Sequence, residues 1–108
     1  MRDKNFVCGI YARLSVKDER AIEYQVTLLK EFAKEKGRKV YRIYKDIGYS
    51  GDSLVFRPEL KRMMNDAQEK KLDVILAMSP DRITQDDNEW SYIKRLLGSL
   101  EVDIVYYD

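Results

Sequence analysis

Arg13 and Ser15 stand two residues apart just beyond the run Phe6-Val7-Cys8-Gly9-Ile10-Tyr11. A short apolar, β-prone run of this kind forms an inner strand. In open α/β sheets, ligands sit beyond the carboxyl ends of such strands. A hydroxyl and a cation, Ser15 and Arg13, therefore stand at the mouth of a site, the Arg13 guanidinium being a candidate ligand for a phosphate. The chain contains no His and one Cys, which removes the commonest general base and leaves no zinc-ligating set. Any chemistry must run on Ser, Tyr, Arg, Lys, Asp or Glu.

The elements that position these groups follow from periodicity. Residues Ser15 to Arg20 are polar apart from Val16, and Ile22, Val26, Leu29, Phe32 and Ala33 then recur at helical spacing up to Gly37, a favourable residue just past a helix end. Val40-Tyr41-Arg42-Ile43-Tyr44 reads as a second strand. The stretch Asp46-Ile47-Gly48-Tyr49-Ser50-Gly51-Asp52-Ser53 is rich in turn formers and predicts a mobile loop, with 46–57 poorly ordered. Pro58 suits a first helical turn, and Leu60, Met63, Met64 and Ala67 make the buried stripe of a second helix. Val74-Ile75-Leu76-Ala77-Met78 is uninterrupted and apolar, the mark of a central parallel strand covered on both faces. Asp86-Asp87 place negative charge at a helix start. Trp90, Ile93, Leu96, Leu97 and Leu100 form the third helical stripe, and Val102 to Tyr107 a closing strand.

The resulting βαβαβαβ alternation predicts an α/β fold: a mostly parallel sheet of about four strands, order 2-1-3-4, with helices on both faces, as in flavodoxin-like proteins. That order brings Arg13 and Ser15, Asp46, and Asp81 and Arg82 to one rim.

A length of 108 residues corresponds to one domain, 1–108, with a single core. Apolar residues make up 44% of the chain and charged residues 36%, enough for a packed interior beneath a well-solvated surface. Cys8 lies inside the first strand and reads as a small buried hydrophobe, compatible with a reducing cytoplasm. No apolar run approaches the ~18 residues of a membrane helix. A net charge of +1 is low for a stand-alone nucleic-acid binder. Seven Lys or Arg against two Glu between Lys30 and Lys45 leave a basic face open, beside the plainer reading of a solvated helix flank.

Each candidate has an ordinary explanation. Ser15 with Asp18 resembles a capping box, which would make Ser15 a helix cap. Arg13 and Arg82 read equally as surface cations, Asp81 as a turn residue, Gln25 as a solvated helix position, and Arg57 as the residue before a helix-starting proline. There is no P-loop and no glycine-rich dinucleotide fingerprint. A phosphorylatable receiver domain fits the fold but needs an acidic pair just after the first strand, where this chain has Ala12 and Arg13.

Taken together, Tyr11-Ala12-Arg13-Leu14-Ser15, Gln25, Asp46-Ile47-Gly48-Tyr49-Ser50-Gly51, Arg57-Pro58-Glu59-Leu60 and Asp81-Arg82 resemble the catalytic domain of the serine recombinases. The Ser-Gly loop leading to an Arg-Pro-x-Leu helix start is most similar to the large integrases and transposases. The resemblance spans nearly the whole chain. It implies cutting and rejoining of DNA through a 5′-phosphoserine intermediate on Ser15, with no metal and no cofactor. Arg13, Arg57 and Arg82 would hold the phosphate oxygens, Asp81 would protonate the leaving hydroxyl, and Gln25 and Asp46 would orient the others. Ser50 and Ser53 are rival hydroxyls, disfavoured because a mobile loop positions atoms badly. The resemblance also implies a cytoplasmic protein encoded by a bacterium, phage or mobile element, assembling as a homodimer or tetramer in full-length form.

Two departures qualify these expectations. The family's third motif carries a further Arg three residues after its Asp-Arg pair, where this chain has Gln85 followed by Asp86 and Asp87. Losing one such donor costs about 10²–10³ in rate, so the alternative is an impaired or silent recombinase-like domain serving in assembly only. The sequence also ends at Asp108, before the long dimerisation helix and DNA-binding domain of the family, which predicts weak DNA binding by this stretch alone.

Overall fold

Alternation along the first strand decides which helix covers which face of the sheet. The computed structural model describes residues 6–14, 17–48 and 57–107. In β1 (Val7–Leu14), Cys8, Ile10 and Ala12 point to one side and Val7 and Tyr11 to the other, because successive side chains leave a strand on opposite faces. Cys8 and Ile10 pack with Leu29 and Ala33 of α1 (Glu19–Glu35), and Ala12 packs with Ile22 and Val26 of the same helix. Tyr11 packs into a larger cluster with Leu60, Met63 and Ala67 of α2 (Pro58–Gln68) and Ile93 and Leu97 of α3 (Asp87–Ser99).

The sheet is parallel throughout, in the expected order β2-β1-β3-β4, with β2 spanning Lys39–Ile47, β3 Val74–Ala77 and β4 Asp103–Tyr106. β3 is buried at every position, as the continuous apolar run predicted, whereas β4 at the edge is only half-buried. Cys8 is fully buried, and desolvation pushes its thiol up to about 11, the behaviour of a hydrophobe rather than a reactive group. Among the described residues, no helix is long and apolar enough to cross a membrane.

Two expectations are corrected. The helix cap is Asp18, whose side chain accepts from the Ala21 amide at 3.2 Å, so α1 starts after the Ser15 position of the supposed capping box. β2 runs on to Ile47, which puts Asp46 inside a strand instead of at the head of a loop. The parallel ladder explains the extension, since Arg13 pairs with Asp46 and Leu14 with Ile47. Most of the stretch expected to be a mobile loop lies outside the described residues, as do Ser15, Ser50 and Ser53.

A second polar pairing ties α2 to the sheet: Tyr44 Oη donates to Asp66 Oδ2 at 2.6 Å, and Arg42 Nη1 donates to the same oxygen at 3.1 Å. Gly48 ends β2 with φ +82°, and its amide donates to the Leu14 carbonyl at 2.8 Å, fixing the two strand ends side by side. A Cβ at Gly48 would meet only ordinary contact, 3.4 Å from Lys17 Cγ, so the cost of substitution is conformational. Gly48→Ala is expected to lower stability by about 1–2 kcal/mol, read as a fall in the urea midpoint at unchanged slope.

Candidate active site

Tyr11 and Arg13 leave β1 on one face, Tyr44 and Asp46 leave β2 on the same face, and the register sets Tyr11 beside Tyr44 and Arg13 beside Asp46. Asp46 is buried at 1% exposure, a costly position for a carboxylate unless its oxygens are satisfied. They are: Tyr11 Oη donates to Oδ2 at 2.8 Å, the Leu60 amide to Oδ2 at 3.0 Å and the Glu59 amide to Oδ1 at 3.1 Å. The last two are first-turn amides of α2, whose own cap residue, Arg57, makes no side-chain cap bond. Asp46 therefore caps α2 from the neighbouring strand, with its charge at the positive end of the helix.

That cap fixes where Arg57 sits. Arg57 is fully buried, and its Nη1 donates to the carbonyl of Ile83. Arg13, 3% exposed, reaches the same segment from β1, donating from Nε to the Arg82 carbonyl at 3.1 Å and from Nη2 to the Asp81 carbonyl at 2.8 Å. The segment is a single 3₁₀ turn, Pro80–Arg82, after β3. Burial pulls the Arg13 guanidinium below its ordinary value; Arg57 and Arg82 push the same way, and Tyr11 and Asp81 oppose them. Gln25 of α1, 7% exposed, accepts from the Arg13 amide through Oε1 at 3.3 Å.

Asp81 is exposed at the outer side of the turn. Ser79 Oγ donates to its Oδ1 at 2.5 Å and is the main reason its carboxyl lies below the usual value; Arg82 and Arg13 add to the effect, and desolvation opposes it. Gln85 is exposed beyond the turn. Asp86 caps α3 by accepting from the Glu89 amide at 3.0 Å, and Thr84 Oγ1 donates to Glu89 Oε1 at 3.0 Å. Among the described residues no group of three or more His, Cys, Asp or Glu side chains could hold a metal.

The structure thus brings Arg13, Gln25, Asp46, Arg57, Asp81 and Arg82 to the carboxyl edge of the sheet. The ordinary readings of Arg13 as a surface cation, Gln25 as solvated and Arg57 as an incidental residue before proline are overturned by their burial. Ser15, next after Leu14 of β1, lies outside the described residues. Sequence reasoning assigned no role to Tyr11 or Ser79. The signal was present in both cases, since Tyr11 shares a strand face with Arg13 and Ser79 precedes Asp81 by two residues.

Comparison with known proteins agrees with this geometry. The family model described as the N-terminal domain of resolvase matches residues 8–108, and the chain belongs to that family, the catalytic domains of the serine recombinases. It is similar to the C-terminal catalytic domain of ISC1926 TnpA, an IS607-like serine recombinase, with TM-score 0.86 and 31% identity over 94% of this chain and 70% of that one. It is also similar to the N-terminal catalytic domain of TP901-1 integrase, with TM-score 0.86 and 28% identity over 93% of this chain and 76% of that one. A resolvase family site-specific recombinase from Streptococcus pneumoniae shares the fold, with TM-score 0.80 at 22% identity over 94% of this chain and 71% of that one. No curated protein matches the chain by sequence.

Asp46→Ala would strip the acceptor from a buried phenol and two helix amides, and is expected to destabilise by about 3 kcal/mol. Asp46→Asn, which keeps one acceptor oxygen, should cost less; chemical denaturation of the two variants measures the difference. Alkaline pH provides a separate check. Burial, reinforced by Asp46 and Asp66 respectively, raises the Tyr11 and Tyr44 phenols well above their ordinary 10.0. The folded state keeps these protons when the unfolded chain has released them, so their contribution is whole below pH 10 and declines as pH climbs beyond it. Native protein should show phenolate absorbance from its exposed tyrosines first, with Tyr11 and Tyr44 ionising only as the fold is lost.

Proposed function

We propose that this domain cuts and rejoins DNA at specific sites, with Ser15 as the nucleophile and a 5′-phosphoserine ester as the intermediate. The observation that supports this best is the convergence of Arg13 and Arg57 on three successive carbonyls, those of Asp81, Arg82 and Ile83, directly beside the Arg82 side chain's own backbone. Neutral carbonyls orient the two guanidinium groups without cancelling their charge. The result is a positive edge with planar, multi-donor groups suited to phosphate oxygens.

On this reading the Ser15 oxygen gives up its proton and forms a bond to phosphorus as the bond to the DNA 3′-oxygen breaks and that oxygen leaves as a hydroxyl, so one phosphoester replaces another, the protons balance and no ATP is required. Phosphoryl transfer depends chiefly on positioning and charge stabilisation, which Arg13, Arg57 and Arg82 supply at the non-bridging oxygens. Gln25, bonded to the Arg13 amide, and Asp46, anchoring the start of α2, are positioning residues. Asp81 is the group for the leaving 3′-oxygen. Its carboxyl lies low in the free protein, and the negative charge of a bound phosphodiester would raise it toward a form that can give up a proton. DNA is the proposed partner, together with further copies of the protein in dimers and tetramers, in a cytoplasmic setting.

A second reading, an assembly domain that does not cut, is favoured by Gln85 in the position of an expected cation. Both are tested with the full-length parent and DNA carrying its recombination site, nicked so that religation fails. A covalent protein–DNA adduct that survives denaturation and disappears in Ser15→Ala is the expected result; an adduct undiminished by Ser15→Ala refutes the nucleophile. Arg82→Gln should slow adduct formation about 10²–10³-fold. Gln85→Arg should accelerate it, and an adduct seen only in Gln85→Arg would establish the second reading.

A further inference from the structure

Arg82 borders two different spaces. One is the arginine edge. The other is a hollow of about 280 Å³ on the α1 side of the sheet, with Leu14, Leu28 and Met78 as an apolar floor and Tyr24, Gln25 and Arg82 around it. Tyr24 and Gln25 join Ala21 and Leu28 at helical i, i+3, i+4, i+7 spacing, so one stripe of α1 forms a whole wall. Tyr24 is 67% exposed, although it lines the hollow together with Leu14, Leu28 and Met78.

An apolar floor, a solvent-facing aromatic ring and polar groups at one side match a flat ligand with apolar faces and a hydrogen-bonding perimeter. A nucleobase has that form. Stacking on an aromatic ring beside a positive groove is how sequence-tolerant sites hold single bases. The hollow and the arginine edge also share structure, because Gln25 lines the hollow while its Oε1 accepts from the Arg13 amide at 3.3 Å, and Arg13 Nε donates to the Arg82 carbonyl at 3.1 Å. A nucleotide whose phosphate sits on Arg13 and Arg82 would carry its sugar and base to the mouth of the hollow. A purely apolar partner would gain nothing from that adjacency, and Arg82 at the rim favours an anionic polymer.

We propose that the hollow is a base-binding subsite. It takes the nucleobase adjoining the phosphate held at the arginine edge, with the ring against Tyr24 and its polar edge toward Gln25 and Arg82. The inference rests on the reading of that edge as a phosphate site, and the experiment separates the two. The isotope-labelled chain is titrated with inorganic phosphate and with thymidine 3′,5′-bisphosphate while backbone amide shifts are followed.

Both ligands should move Arg13, Arg57 and Arg82, and only the bisphosphate should also move Leu14, Tyr24, Leu28 and Ser79. The ratio of the two affinities should fall roughly 5- to 150-fold in Tyr24→Ala, the range expected for one stacked base, and be kept in Tyr24→Phe. Because Tyr24 is largely exposed, neither variant threatens the fold. If both ligands move the arginines alone and bind equally, the subsite is wrong while the phosphate site stands. If neither moves the arginines, the phosphate site fails and the subsite with it. Shifts in the hollow that follow protein concentration without ligand would mean that a second copy covers it, which also overturns the proposal.

Discussion

Two guanidinium groups from different parts of the chain hang from the carbonyls of Asp81, Arg82 and Ile83. Buried cations are costly unless their donors are met, and here the backbone of a short turn accepts from Arg13 Nε and Nη2 and from Arg57 Nη1. A carboxylate in that position would have satisfied the same donors while neutralising the charge. Carbonyls accept from the groups without adding an opposing charge of their own. The segment after β3 therefore does more than connect: it is the frame on which the positive edge is assembled, and it presents Arg82 from the same three residues.

The second constraint acts from below. Asp46 takes a phenol and two helix amides on its two oxygens, so the start of α2 cannot drift relative to β1 and β2. Arg57 is the residue just before that start. A carboxylate with no direct hold on Arg57 thus sets its location through helix capping, and Tyr11 makes the same carboxylate part of the core. Tyr44, Asp66 and Arg42 repeat the arrangement further along α2, giving the helix two attachment points on β2.

Much of this was legible in the sequence, for identifiable reasons. The unbroken apolar run at Val74–Ala77 and the three amphipathic stripes specify a parallel sheet with a buried centre, and the crossover rule then limits the strand order. Strand-end placement brought Arg13 and the Asp81-Arg82 pair together without coordinates. Arg57 was not legible as a buried group, because nothing in a cation followed by proline signals depth; only the packing of α2 against Ile83 creates it. Asp46 was assigned to a loop because the glycines and serines after it are turn formers, while the ladder with Arg13 and Leu14 extends β2 past that boundary. The cap moved from Ser15 to Asp18 for a similar reason: several short polar residues in succession offer equivalent local signals, and tertiary packing of Ile22 and Val26 selects among them.

The chain order of the bonds to Arg13 governs when the edge comes into being. Its acceptors lie 68 and 69 residues further along, and every strand pair in the sheet is parallel, so no hairpin can form part of it early. Synthesis runs from the N-terminus at ~5–20 residues per second. During that interval Arg13 exists on the ribosome without the turn that will orient it. The arginine edge is therefore assembled only once most of the domain has emerged and β3 has docked beside β1.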